Sequence, residues 1–201
     1  DAADFVFADG VPVAWLQRRI QRKDSRVVRG YEVLLAVCQQ AVREGKKVGF
    51  LGSTQFVLDA LVRNMLKSYP DLEVAYVSSP PFSSSDLIST QAEIDAINMA
   101  DPDWLFIGLG CPKQEKWIFQ NADSLNCSLL GVGAAFDWLA GTTRKPPKWM
   151  ENSGLGWFFR LMQNPGKMWH RYLIYNTRFI IKTLGLLMRK GPSSTSEPPQ
   201  Q

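Results

Sequence analysis

Four short apolar runs, each closing on small or polar residues and each leading towards a segment of helical periodicity, constrain this chain more than any other feature. They are Lys47 to Leu51, Glu73 to Val77, Trp104 to Gly108 and Ser128 to Val132. Runs of this length and apolarity read as strands. Between them the apolar period changes. Leu34, Val37, Cys38 and Ala41 fall at i, i+3, i+4, i+7 spacing within a helix over 31–44, and Phe56, Leu58, Leu61, Val62 and Met65 mark another over 56–66. Further helices are expected over 11–22, from Asp86 to about Met99, and from Pro112, whose missing N–H costs nothing in a first turn. Strand, loop and helix in repeated order predict an α/β fold, a Rossmann-like parallel sheet with helices on both faces. Ligands of such sheets bind beyond the carboxyl ends of the strands. The loops after residues 51, 77, 108 and 132 are therefore the places to seek a site.

Charge divides the chain. The net charge of +4 conceals 13 Lys and Arg against 17 Asp and Glu in residues 1–143, and 10 against one acid, Glu151, in residues 144–190. This predicts a catalytic domain over 1–143 and a basic helical appendage over 144–190, entered through Arg144-Lys145-Pro146-Pro147-Lys148. The Pro-, Ser- and Gln-rich residues 191–201 read as a disordered tail. In the appendage, Trp169, Tyr172 and Phe179 mix with Lys167, Arg171 and Arg178, which suits an anionic membrane interface. No stretch there is long and apolar enough to span a bilayer. Cys38, Cys111 and Cys127 match no zinc or redox spacing and read as small, reduced core residues.

The sharpest motif is Gly108-Leu109-Gly110-Cys111-Pro112-Lys113-Gln114-Glu115. Glycines at a strand's carboxyl end let backbone N–H groups approach a ligand, and the helix that follows favours anions. Gln114 and Glu115 on its first turn suit sugar hydroxyls or a nucleobase. Lys113 occupies the place of the third glycine in a dinucleotide fingerprint, which counts against an NAD-dependent oxidoreductase. A second motif, Gly131-Val132-Gly133-Ala134-Ala135-Phe136-Asp137, again ends a strand in glycine and supplies an acid. A third, Ala8-Asp9-Gly10, reads as a turn whose carboxylate is a candidate general base. Asp101-Pro102-Asp103 imitates a metal-holding D-x-D but precedes its strand, away from the expected crevice.

These motifs, together with Gly30, Leu51-Gly52, Tyr69-Pro70, Ala140-Gly141, Gly154-Leu155 and Trp157, resemble the WecG/TagA/CpsF family of bacterial glycosyltransferases. The resemblance implies an inverting, metal-independent enzyme without a cofactor. Its donor would be a UDP-sugar of the N-acetylmannosamine type or a related hexose. Its acceptor would be an undecaprenyl-diphosphate-linked sugar at the inner face of the plasma membrane, in surface-polysaccharide or cell-wall synthesis. Asp9 falls where the family's proposed base lies, and Gln114 and Asp137 match pocket positions. Gly52, Gly110, Pro112 and Glu115 belong to the matching segments. Arg160 matches an appendage arginine suited to the leaving diphosphate, with Lys167 and Arg171 beside it in the basic region. Arg26 or Arg29 matches another pocket arginine. The family's earlier Thr-Pro-Asn segment has no counterpart, so the domain is expected to be N-terminally incomplete. That leaves a non-catalytic nucleotide-sugar-binding partner of a polysaccharide complex as the alternative. Nucleic acid is not an expected partner, and a homo-oligomer is left open.

Overall fold

The computed structural model describes residues 3–21, 25–80, 90–163, 165, 166, 169, 181–183 and 185. The chain forms two compact units, Asp1–Gly10 with Arg26–Lys145, and Val11–Ser25 with Pro146–Gln201. The second boundary lies near the charge transition. The sequence reading kept residues 11–25 in the first domain, whereas here they group with the C-terminal residues. The reason is visible at Gly154, where an added Cβ would lie 3.5 Å from Cβ of Val11.

The first unit contains a four-stranded parallel sheet: β1 (Lys47–Gly52), β2 (Glu73–Ser78), β3 (Trp104–Gly108) and β4 (Ser128–Gly131), in the order β2-β1-β3-β4. The two central strands are the most buried and the edge strands are half-buried, as expected when helices cover both faces. Strand alternation sorts their side chains. Val48, Phe50 and Phe106 join a core with α2 (Gly30–Glu44), α3 (Gln55–Ser68) and α6 (Ala135–Ala140). Leu51, Leu105 and Ile107 join another with α4 (Gln91–Ala100) and α5 (Lys113–Asn121). The expected Rossmann-like architecture is therefore present.

Phe50 is the hub of the first core. Its ring stacks on Phe106 at 5.6 Å and meets Phe136 edge-on at 5.8 Å. Each such buried side chain contributes about 1.5–3 kcal/mol over exposure. In α3 the buried face is Val57, Leu58, Leu61 and Met65. Phe56, expected on that face, is exposed, because it stands one position before the i, i+4, i+8 row that begins at Val57. The helix expected from Asp86 is seen from Gln91, and residues 81–89 lie outside the described residues.

Local chemistry sets the helix ends. Thr54 and Thr90 cap α3 and α4 by accepting from the N–H groups of Val57 and Glu93. Glu32 accepts from Arg29 N at 3.1 Å at the start of α2, and Gly45 closes it at φ +62°. The second unit contains α1 (Val11–Gln21), α7 (Lys148–Asn152) and α8 (Gly156–Gln163). Both α7, which begins at Lys148 where the expected connector ends, and α8 fall within the expected helical appendage over 144–190. Among the described residues no helix is long and apolar enough to cross a membrane.

Candidate functional site

The strand order reverses direction between β1 and β3, and the crevice of an open α/β sheet forms at such a point. Here the two carboxyl ends meet as glycine on glycine, with Gly52 in register with Gly108. A Cβ on Gly52 would lie 2.7 Å from the carbonyl carbon of Gly108 and 2.8 Å from its oxygen. One on Gly108 would lie 2.4 Å from Cδ2 of Phe136. Glycine at both positions lets the strand ends and the start of α6 close together. Beyond Gly52 the chain turns through Ser53, whose carbonyl accepts from Ser79 Oγ at 2.8 Å, tying the ends of β1 and β2.

The loop after β3 turns at Gly110, φ +78°. Pro112 stands at the N-cap, one residue before the helix it was expected to open. The side chain of Gln114 points inward and is 7% exposed. Its Oε1 accepts from Gly133 N at 3.0 Å, and its Nε2 donates to Glu115 Oε1 at 3.0 Å. Gln114 thus joins the loop after β3 to the loop after β4. Cys111 is exposed on the same loop, contrary to its reading as a core residue, because the turn at Gly110 carries it away from β3. Cys38 fits the core reading and Cys127 is half-buried, and burial pushes the two thiols up to about 12 and about 11.

The start of α2 completes this rim. A Cβ on Gly30 would lie 2.6 Å from the carbonyl oxygen of Val132, so the helix begins against the end of β4. Tyr31 then meets Trp138 of α6 edge-on at 5.6 Å, with Lys145 Nζ 3.8 Å from its ring centroid. Its hydroxyl donates to Glu32 Oε1, which also pairs with Arg29 Nη1, each at 3.2 Å. The sequence reading names Gly30 and the arginine alternative here, but not the meeting of Tyr31, Trp138 and Lys145. Its partners are far apart in the chain, and only the Arg29–Glu32 spacing signalled a contact.

Of the expected site residues, Gly52, Gly110, Pro112, Gln114, Glu115 and Asp137 lie on this carboxyl rim. Asp137 is half-buried on the first turn of α6, and its carbonyl accepts from the N–H groups of Thr142 and Thr143. Asp9 and Arg26 are exposed beside the parallel Ala8–Val27 bridge that leads into α2. Arg160 belongs to α8 of the second unit and is half-buried. Lys167 and Arg171 lie outside the described residues.

The opposite end of the sheet has structural uses for its acids. Asp103 Oδ2 accepts from Lys47 N at 2.8 Å, and Lys47 Nζ lies 4.0 Å from Asp101. The D-x-D pair therefore secures the amino ends of β1 and β3. A shallow open depression there is lined by Lys47, Glu73, Val74, Ala75 and Ala100. It lies away from the switch point, and the strand-end rule favours the carboxyl rim. Among the described residues no three His, Cys, Asp or Glu side chains gather as a metal site.

The sequence profile of the glycosyl transferase WecG/TagA/CpsF family matches residues 1–192. The chain is 28% identical over 173 residues to the N-acetylglucosaminyldiphosphoundecaprenol N-acetyl-beta-D-mannosaminyltransferase of Bacillus subtilis, covering 86% of this chain and 65% of that protein. The protein of the same name from Bacillus spizizenii is 27% identical, with the same coverage of both chains. That from Staphylococcus aureus strain MW2 is 25% identical over 81% of this chain and 62% of its own length. The chain thus spans less than two thirds of the length of these relatives.

Proposed function

Because the chain belongs to the glycosyl transferase WecG/TagA/CpsF family, we propose that it transfers a sugar from a UDP-sugar to an undecaprenyl-diphosphate-linked acceptor. The observation that carries this reading is the carboxyl rim at the β1/β3 switch point, where the loop from Gly108 to Glu115 opens α5. A nucleotide diphosphate suits such a rim, since helix N-termini and glycine turns favour anions. The names of the relatives support an N-acetylmannosamine-type donor sugar and an N-acetylglucosaminyl-diphosphoundecaprenol acceptor.

In this reading an acceptor hydroxyl attacks the anomeric carbon from the face opposite the UDP. The new glycosidic bond forms as the bond to the diphosphate oxygen breaks, and configuration inverts. Asp9, exposed beside the Ala8–Val27 bridge, takes the hydroxyl proton. UDP departs with the electron pair of the broken bond. No metal or cofactor takes part, and a guanidinium such as that of Arg26 neutralises diphosphate charge. The basic second unit, with Trp149, Trp157, Phe158 and Met162 exposed, serves as a peripheral contact with the inner membrane surface.

Asp9→Asn tests the mechanism. Turnover on a lipid-linked acceptor falls roughly 10²–10⁴-fold while UDP affinity is kept. An unchanged rate refutes the assignment of Asp9 as base. Selective UDP binding without turnover on any donor would point instead to a non-catalytic binding partner.

A further inference from the structure

Gln114 and Glu115 are consecutive on the first turn of α5, yet they face different surroundings. Gln114 is buried, with its amide spanning from Glu115 to the Gly133 N–H, and Glu115 is exposed. A glutamine amide has one accepting end and one donating end, whereas a carboxylate only accepts. By holding the NH2 end, Glu115 turns the carbonyl end of Gln114 towards Gly133. Space is reserved for this strut. A Cβ on Gly131 would lie 3.1 Å from Nε2 of Gln114 and 3.3 Å from Cδ1 of Ile118. Gly133 itself sits at φ +57° and leads directly into α6, whose first turn carries Asp137.

We propose that Glu115 is a positioning residue that acts through Gln114 to set the turn between β4 and α6, and with it Asp137 at the donor site. The functional part rests on the glycosyl-donor reading given above, while the structural part does not. Two consequences follow. The loops after β3 and β4 hold one geometry together, because Gln114 belongs to the first and grips the second. The Gly133 N–H is also already taken by Gln114 Oε1 at 3.0 Å, so the donor's phosphates draw their hydrogen bonds from other groups on the rim. Gln114 therefore shapes the site from beneath.

The test uses the full chain with Glu115→Ala, Glu115→Gln, Gln114→Ala and the double alanine variant. Hydrogen exchange at the Gly133 amide is read by NMR, and UDP affinity by calorimetry. Glu115→Ala and Gln114→Ala each lower Gly133 protection, by roughly tenfold, the effect of losing one hydrogen bond. Glu115→Gln restores protection, because its carbonyl still accepts from Gln114. The double variant is no worse than Gln114→Ala, since Glu115 acts only through its neighbour. UDP affinity falls in the same order. Unchanged protection in Glu115→Ala overturns the proposal, as does additivity in the double variant, which would mean that Glu115 acts by itself. Because Glu115 is exposed, its variants stay folded and keep the test valid. If protection follows the expected pattern but wild type binds no UDP, the donor reading fails and the strut stands. If UDP binds and the pattern fails, only the strut is lost.

Discussion

Replacing Gly52 by alanine tests whether the ends of β1 and β3 close as described. Two costs combine at that position. The backbone sits at φ +121°, where an L-residue is strained by about 1–3 kcal/mol. The added methyl would also lie 2.7 Å from the backbone of Gly108, which no side-chain rotation relieves. Overpacking of this kind adds about 1–3 kcal/mol, so the expected loss is about 2–6 kcal/mol. Gly110→Ala is the control. Its φ is +78° with nothing within 4 Å of the added Cβ, so only strain of about 1–2 kcal/mol applies. Urea unfolding followed by circular dichroism measures both. The overpacking of about 1–3 kcal/mol separates the two variants, and with a slope of about 1–3 kcal/mol per molar urea the Gly52 variant's midpoint falls about 0.3–3 M below that of the Gly110 variant. Equal midpoints for the two variants would refute the close contact at the switch point.

Two further outcomes follow from the same structure. Asp103→Ala removes the acceptor of the Lys47 N–H, costing about 1–3 kcal/mol in a melt. It leaves UDP affinity unchanged, since the residue sits at the amino ends of the strands, and weaker UDP binding would contradict that. Burial raises the Cys38 thiol from 9.0 to about 12 and that of Cys127 from 9.0 to about 11. The folded state holds these protons more tightly than the unfolded state, so this contribution to stability is complete below about pH 9 and fades as pH rises through 11 and 12. Between pH 9 and 11 the stability of wild type therefore falls more steeply than that of Cys38→Val in denaturant titrations, and identical slopes would contradict the burial.

The parts of the fold legible in the sequence are those where one local signal suffices. Lys47 to Leu51 and Trp104 to Gly108 are apolar because both become central strands buried on two faces. Their glycine ends located the rim, and the order of the D-x-D pair and its strand kept that pair out of it. Phe56 misleads because it enters the apolar period of its segment, whereas its position on the helix turns it to solvent. The grouping of Val11–Ser25 with the C-terminal residues, and the meeting of Tyr31, Trp138 and Lys145, depend on contacts between distant segments that no short-range period records. Gln114 shows the limit most clearly. The motif marked it as a site residue, but its grip on Gly133 is a tertiary contact, and that contact changes what the residue does.

The most direct test of the central claim, a UDP-sugar site at this carboxyl rim, is calorimetric titration of UDP into wild type and Gln114→Ala, with NAD as the control ligand. The account predicts that wild type binds UDP and not NAD, and that Gln114→Ala weakens UDP binding as the β4–α6 turn loosens. Binding of NAD in place of UDP, or no binding of UDP by wild type, would contradict it.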